Sequence, residues 1–247
     1  MRTSRVFIAC LLLVTGACTH SAVRPSSSPT VRRSGSDAGH PSTSPDPTAS
    51  PSLVPSGVPA GTPEGYAKDV PPEKIAPQSL VPAGMTVTDA WSTATSVGET
   101  AGVAYIEPGD PLQAPRGLVI WRRSPGGAPP WRPVFGLTTG PGVLQLDTLL
   151  GDATGDGSDD ALVFEGTGGS GACGTTLLLD LAANTQVFKK TACDTVVDFS
   201  PDPVGLSIRQ AVYGPSDSHC CPSAFRATVL TYVGGSWVVA ARTTTPT

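Results

Sequence analysis

The stretch GDATGDGSDD, residues 151–160, concentrates the side chains of this sequence that are best suited to bind a metal ion. Calcium binds about six to eight oxygens at roughly 2.3–2.6 Å, and closely spaced aspartates on a sharply turning backbone supply them. Glycines at positions 155 and 157 permit such a turn. Because neighbouring carboxylates repel one another when no cation is present, the spacing predicts a calcium loop.

Two known calcium loops can be compared with this one. An EF-hand requires a bidentate Glu at position twelve of the loop and helices on both sides. With Asp152 as position one, that place holds Val163, and the flanking residues favour strands. The shorter pattern D-x-[D/N/T]-G-D-G-x-x-D does fit, and LLGDATGDGSDDALVF resembles the calcium loop of FG-GAP/VCBS repeats, which build integrin-type propellers.

The resemblance implies four side-chain ligands and one backbone carbonyl, at Asp152, Thr154, Asp156 and Asp160, and at Ser158 respectively. A threonine at position three removes one negative charge, which implies weak affinity, of the order of 10⁻⁴–10⁻³ M as in extracellular modules. The alternative is a polar, glycine-rich connection that binds nothing. Only one copy of the loop is present, and a propeller needs at least about four blades. We therefore expect a clamp on a single hairpin.

Four cysteines lie in the same part of the chain: Cys173, Cys193, Cys220 and Cys221. In an exported protein an even number of cysteines indicates disulfides, here with three possible pairings. CGTTLLLDLAANTQVFKKTAC resembles a hairpin turning at Ala182-Ala183-Asn184, because asparagine tolerates the left-handed conformation that the turn requires.

In that register Leu179 faces Val187 and Leu177 faces Lys189, and Cys173 lies opposite Cys193. Directly opposed residues have Cβ atoms about 4.5–5.5 Å apart, close to disulfide geometry. We therefore favour the Cys173–Cys193 bridge. A shifted turn would instead pair Cys220 and Cys221 back to these two cysteines.

His219, beside Cys220 and Cys221, is the one histidine after residue 40. A zinc site or Cys–His catalysis is not favoured, because paired ligands with C-x₂-C spacing are absent. GTGGSG, residues 166–171, matches G-x-G-x-x-G but lies between two predicted strands and not at a strand-to-helix turn. The sequence therefore predicts a protein that is not an enzyme.

The first residues have the composition of an export signal. Arg2 and Arg5 precede an apolar run from residue 6 to 14, which is too short to span a membrane. LLLVTGAC resembles a bacterial lipobox, which implies cleavage after residue 17 and a lipid on Cys18. The alternative is an ordinary secretory signal. With the lipid, the protein is expected at the extracytoplasmic face of the membrane, anchored without crossing it.

Residues 18–82 are rich in Ser, Pro, Thr and Gly, and we expect a disordered linker there. The end of this stretch, residues 64–84, has a less simple composition, and whether it packs on the following domain stays open. The domain is placed at residues 83–247, where twelve short β-rich runs alternate with turn residues and no helical periodicity is sustained. This pattern predicts an all-β domain, a single antiparallel sandwich or barrel.

Charge excludes one class of partner. From residue 85 onward the chain has nine Lys and Arg against fifteen Asp and Glu, a net charge of −6. A nucleic-acid binder needs a basic surface, so no nucleic-acid partner is expected.

The lipobox, the Ser/Pro/Thr-rich linker and the acidic β domain with GDATGDGSDDALV, GGSGACGT and HCCPS together resemble the LppP/LprE-type lipoproteins of actinobacterial cell envelopes. The resemblance implies a location and no mechanism. Together with the residues, it leads us to expect a membrane-anchored binding or structural module, stabilised by calcium and disulfides, with a cell-wall or surface protein as its partner. A small-ligand or lipid carrier and an envelope hydrolase with unidentified carboxylates are the alternatives.

Overall fold

The computed structural model describes residues 57–169, 172–218 and 221–247. Twelve strands in these residues form three four-stranded sheets, and every strand is antiparallel to the strand that follows it within its sheet. The first sheet contains β1 (Thr86–Thr95), β2 (Gly98–Ile106), β3 (Arg116–Arg123) and β4 (Trp131–Thr138). The second contains β5 (Gln145–Gly151), β6 (Asp160–Gly168), β7 (Cys173–Asp180) and β8 (Thr185–Ala192). The third contains β9 (Thr195–Pro201), β10 (Val204–Val212), β11 (Ala224–Val233) and β12 (Ser236–Pro246).

The prediction of an all-β, antiparallel domain is confirmed, and each of the twelve predicted strands coincides with an observed one. The sheets pack face to face, as in a sandwich, but they number three, and none of them closes into a barrel within the described residues. Each sheet is a simple meander, in which consecutive strands of the chain are neighbours in the sheet.

The second sheet is the middle layer of the stack. One of its faces, with Val163 and Leu177, packs against Leu118 and Ile120 of the first sheet. The opposite face packs against the third sheet through a cluster that includes Leu162, Leu178, Phe188, Leu206, Leu230 and Trp237. Successive side chains of a strand point to opposite faces. The runs ALVF and LLL in β6 and β7 are therefore uninterrupted in apolar character because both faces of this sheet are buried.

The outer face of the first sheet is covered by residues 57–82, which we call the N-terminal strap. Two short 3₁₀ turns, Pro72–Lys74 and Pro77–Leu80, bring Ile75, Leu80 and Val81 onto this face. The linker was expected to reach residue 82, with the packing of residues 64–84 left open, and the strap from residue 57 onward packs on the first sheet. Its apolar side chains are few, yet they are matched to a sheet face that would otherwise be exposed.

The register of the β7–β8 hairpin agrees with the expectation at one end and differs at the other. Leu177 faces Lys189 as predicted, whereas Leu179 faces Gln186 and not Val187. The turn has one residue more than expected, and a bulge between Leu178 and Leu179 absorbs it. Asn184 has the expected positive φ, 56°.

Candidate functional site

The aspartate loop, residues 151–160, connects β5 to β6 at one end of the middle sheet. Gly155 and Gly157 have φ angles of 77° and 82°, a conformation in which glycine is favoured. Their positive φ turns the backbone sharply, so that its N–H groups point back toward the first aspartate. Asp152 accepts hydrogen bonds from the N–H of Gly155 at 2.6 Å and of Gly157 at 2.9 Å.

The loop also contacts the first sheet. Ser158 is 3% exposed, and its hydroxyl accepts a hydrogen bond of 3.1 Å from the N–H of Ser96, in the β1–β2 turn. The hydroxyl of Thr93 donates a hydrogen bond to Asp159. Asp156, which is exposed, accepts the N–H of Ser158 at 2.7 Å. Most of the polar groups of the loop are therefore used to hold its own shape and its contact with β1.

The carboxylate of Asp160 is an exception, because it is fully buried and only half satisfied. Its Oδ2 accepts the N–H groups of Ala153 and Thr154, both at 2.9 Å. No donor meets Oδ1 in good hydrogen-bond geometry, and the buried hydroxyl of Thr154 lies beside the carboxylate. Burial raises the pKa of Asp160 to about 7, although the two N–H groups and the hydroxyl of Thr154 lower it. A buried, unpartnered carboxylate oxygen is uncommon and requires an explanation.

A bound cation would satisfy this oxygen. The donors of the loop are carboxylate, hydroxyl and carbonyl oxygens, which are the ligands that calcium prefers. However, no three His, Cys, Asp or Glu side chains within the described residues are grouped so that they could hold a metal ion. The structure thus keeps Asp152, Thr154, Asp156, Ser158 and Asp160 in one loop without gathering the three carboxylates at a point.

Asp180, at the end of β7, is a residue of this region that the sequence did not reveal. Ala161 pairs with Leu179, so the next residues outward, Asp160 and Asp180, face each other across the β6–β7 ladder. Asp180 is 9% exposed, and its carboxylate accepts the N–H of Ala183 at 2.7 Å. The charge of Asp180 raises the pKa of Asp160, in addition to the larger effect of burial. The signal that identifies Asp180 is the strand register, which composition does not reveal.

The disulfide prediction is confirmed for one pair of cysteines. Cys173 and Cys193 are bonded, and they join the beginning of β7 to the residue after β8. Cys221 lies within the described residues and is exposed. Cys220 and His219, as well as the predicted lipidation site Cys18, lie outside the described residues.

A shallow depression lies at the opposite end of the middle and third sheets, and its lining includes Phe164, Lys190 and Thr195. Ligand pockets usually measure about 300–1,000 Å³. The depression encloses no room even for a water molecule, so it is not a pocket for an organic ligand.

Comparison with protein-family models, with curated proteins and with solved structures found no match for this chain. None of the helices among the described residues has the length and apolar character required to span a bilayer. The features that bear on function are therefore the aspartate loop and the sequence motifs.

Proposed function

We propose that this protein is a lipid-anchored, non-enzymatic binding or structural module at the extracytoplasmic face of the membrane, with a weak calcium site in the aspartate loop. Cys18 carries the lipid, and the acidic β domain is presented to a surface protein or to the cell wall. The proposal also identifies the protein as similar to the LppP/LprE-type lipoproteins and the loop as a single calcium loop of the FG-GAP/VCBS type. Support for the anchor comes from the lipobox sequence.

One observation carries the calcium site, namely the fully buried carboxylate of Asp160, whose Oδ1 receives no backbone N–H and has only the hydroxyl of Thr154 beside it. Removing a carboxylate from water is costly unless its charge is compensated. Calcium would compensate this charge, and Asp152, Thr154, Asp156 and the carbonyl of Ser158 supply the further oxygens. The ion would stabilise the fold, and no step of a reaction is assigned to it.

The two alternatives receive less support from described features. A lipid carrier requires a large apolar cavity, whereas the depression beside Phe164 encloses no room even for a water molecule. An envelope hydrolase requires two carboxylates in a cleft that is open to solvent. The carboxylates that do face each other, Asp160 and Asp180, are 0% and 9% exposed.

Thermal unfolding in EDTA and in about 2 mM calcium tests the proposal. The chain from residue 18 onward is used, with Cys18→Ser so that it carries no lipid. For a Kd of roughly 0.1–1 mM, mass action predicts a stabilisation of about 0.6–1.8 kcal/mol. In a domain of this size that corresponds to a rise in Tm of a few degrees.

Asp156→Ala should abolish the rise, because Asp156 is a proposed ligand. Its Tm in EDTA shows separately what the loss of the hydrogen bond from the N–H of Ser158 costs the fold. Asp110→Ala is the matched control, since Asp110 is exposed in the loop between β2 and β3, at the other end of the first sheet. A wild-type Tm that does not respond to calcium would refute the metal site and leave the loop as an acidic turn.

A further inference from the structure

The edge strands of the three sheets differ in how they are protected. An unpaired edge offers a row of N–H and C=O groups to other chains, and proteins usually block it with charges, bulges or a covering segment. Tyr66 of the strap forms a bridge at the β4 edge, and the β1 ladder contains a bulge. The edge strands β5, β8 and β9 each carry an exposed charged residue, namely Asp147, Lys189 and Asp198.

The remaining edge strand, β12, is the longest strand of the fold, with 11 residues, of which all but Trp237 are exposed. It contains no Lys, Asp or Glu, and its one charged residue is Arg242. Its bulge lies beside Val229, and the ladder over residues 241–246 is regular. Within the part of the chain that the structure describes, no strand pairs with the outer side of β12. The third sheet can therefore be extended by one strand at this edge.

The ladder identifies the backbone groups that face this edge. The N–H of Thr247 donates to the carbonyl of Ser223, directly before β11, at 3.1 Å. Backbone groups of an antiparallel strand point alternately to its two sides. Residues 243 and 245 therefore bond to β11, whereas Arg242 and Thr244 direct their N–H and C=O groups outward. A strand that pairs with β12 would bond to these outward groups.

Arginine side chains set the charge that such a strand would meet. Arg242 pairs with Thr228, and Arg226 pairs with Thr244, so the two arginines are diagonal neighbours on one face of the sheet. Both are exposed, and neither forms an ion pair with any of the described residues. Residues 204–247 contain three Arg and one Asp, although the domain as a whole is acidic. An incoming residue opposite Arg242 would have its Cβ atom about 4.5–5.5 Å away, and opposite charges in such a pair attract.

We propose that the free edge of β12 binds an extended, acidic segment of the surface partner, which adds a fifth strand to the third sheet. This inference rests on the proposed function, because it specifies how the partner is recognised. Backbone hydrogen bonds to Arg242 and Thr244 supply affinity, and the arginines select for carboxylates. A second copy of this chain fits the edge less well, since its own β12 offers another arginine and no carboxylate.

Binding of labelled synthetic peptides, followed by fluorescence anisotropy, tests the inference on the chain from residue 18 onward with Cys18→Ser. The probe is a short peptide in which valine alternates with glutamate and threonine. A second peptide has lysine in place of glutamate, and a third is the acidic peptide N-methylated throughout, so that it cannot donate backbone hydrogen bonds. We expect the acidic peptide to bind, and both counterparts to bind at least about tenfold more weakly.

Variants of the protein separate the contribution of the backbone from that of the charge. Thr244→Pro removes an outward N–H and keeps the bonds to β11, because proline is tolerated at a free edge. It should weaken the Kd for the acidic peptide about tenfold. Arg242→Gln should weaken it about threefold. Lys189→Gln is the matched control, since it removes an exposed charge from the β8 edge, and it should leave the Kd unchanged.

Thermal unfolding of each variant shows whether the fold is kept. If Thr244→Pro melts well below the wild type, Arg242→Gln and the N-methylated peptide decide. The inference is overturned if the acidic peptide does not bind at millimolar concentration, if either counterpart binds equally well, or if a folded Thr244→Pro keeps the wild-type Kd. A dimer in sedimentation that Thr244→Pro dissociates would assign the edge to a second copy and overturn it as well.

The response of Tm to calcium, measured on the same protein, separates this inference from the proposed function. A rise in Tm without peptide binding refutes the edge site and leaves the calcium-stabilised module. Peptide binding without a rise in Tm refutes the calcium site and leaves the edge as the binding surface of the module.

Discussion

At the residue scale, the molecule places a carboxylate where water does not reach it. Asp160 is 0% exposed, and the backbone N–H groups of Ala153 and Thr154 satisfy only one of its oxygens. Burial without a compensating charge favours the protonated form of a carboxyl group. The pKa of about 7 for Asp160 is the consequence of this environment, and it makes the stability of the metal-free protein depend on pH.

We expect the free energy of unfolding in EDTA to fall as the pH rises from about 4 to 7. In this interval the unfolded chain, in which the pKa of an aspartate is near 3.8, has lost the proton that folded Asp160 retains. The folded state binds more protons, so raising the pH favours unfolding. The full effect of this difference in pKa is at most about 4 kcal/mol.

Urea denaturation at a series of pH values measures this effect. Asp160→Asn should reduce the slope between pH 4 and 7, since its titration is gone, while Glu165, whose pKa burial also raises, retains part of the dependence. Asp198→Asn, at an exposed position, should retain the wild-type slope. A wild-type protein whose stability is constant or increases over this interval would show that Asp160 is ionised in the fold without calcium.

At the scale of elements, the N-terminal strap is held by two tryptophans of the first sheet. The indole N–H of Trp121 donates to the carbonyl of Leu80 at 3.0 Å, and that of Trp131 donates to the carbonyl of Val70 at 3.1 Å. Both tryptophans are 0% exposed. Tyr66 also forms a β-bridge with Trp131, which extends the first sheet toward the strap.

Trp121→Phe should destabilise the protein by about 1–3 kcal/mol or more, because it leaves the buried carbonyl of Leu80 without its donor and removes part of a buried ring. Urea denaturation measures the loss, and hydrogen exchange should show that the amides of Ile75 and Ser79 exchange faster than in the wild type. Trp237→Phe is a control, because Trp237 donates to Val187 on the far side of the stack. Unchanged exchange in the strap would show that the indole bond does not hold it.

The strands and the strap differ in how far the sequence predicts them. Alternating or continuous apolar runs between Gly, Pro and Asp predict all twelve strands, because a pleated strand has a fixed period of two. The hairpin argument also predicts the Cys173–Cys193 bridge, since a single bulge restores the register before the cysteines are reached. The apolar residues of the strap have no regular spacing. Its docking depends on how these side chains fit the face of the first sheet and on indole N–H donors that are far away in the sequence.

At the scale of the whole molecule, the aspartate loop touches both neighbouring layers. It contacts the first sheet through Ser158 and Asp159, and Ala153 packs within the cluster formed by the second and third sheets. Continuous apolar runs in β6 and β7 indicate that both faces of their sheet are buried, but they do not show which other strands cover those faces. The loop motif is visible in the sequence, whereas the position of Asp180 beside Asp160 follows only from the assembled register.

Calcium should therefore slow amide exchange beyond the loop itself. At about 2 mM calcium and a Kd of roughly 0.1–1 mM, opening of the site becomes about 3- to 20-fold rarer. We expect this slowing at Ala153 and Thr154, and also at Ser96 in the first sheet, because its N–H bonds to Ser158. Hydrogen–deuterium exchange in EDTA and in calcium measures it.

Glu107 is an internal reference for this experiment. Its N–H donates a hydrogen bond to the carbonyl of Pro115, in the loop between β2 and β3 at the other end of the first sheet. The exchange of this amide should not respond to calcium. Slowing at Ala153 and Thr154 with no change at Ser96 would show that the loop binds calcium without coupling to the first sheet.

The position of the strap has a mechanical consequence. Gly57 and Pro59 lie against Gly136 of β4, and the chain then runs over the first sheet before it enters β1. A pulling force on the residues before Gly57 is borne first by the strap and by its two indole bonds, and only afterwards by a strand. Release of residues 57–82 would lengthen the chain by on the order of 90 Å at full extension. The strap therefore lies in series between this force and the three sheets, so that its two indole hydrogen bonds are loaded before any strand register.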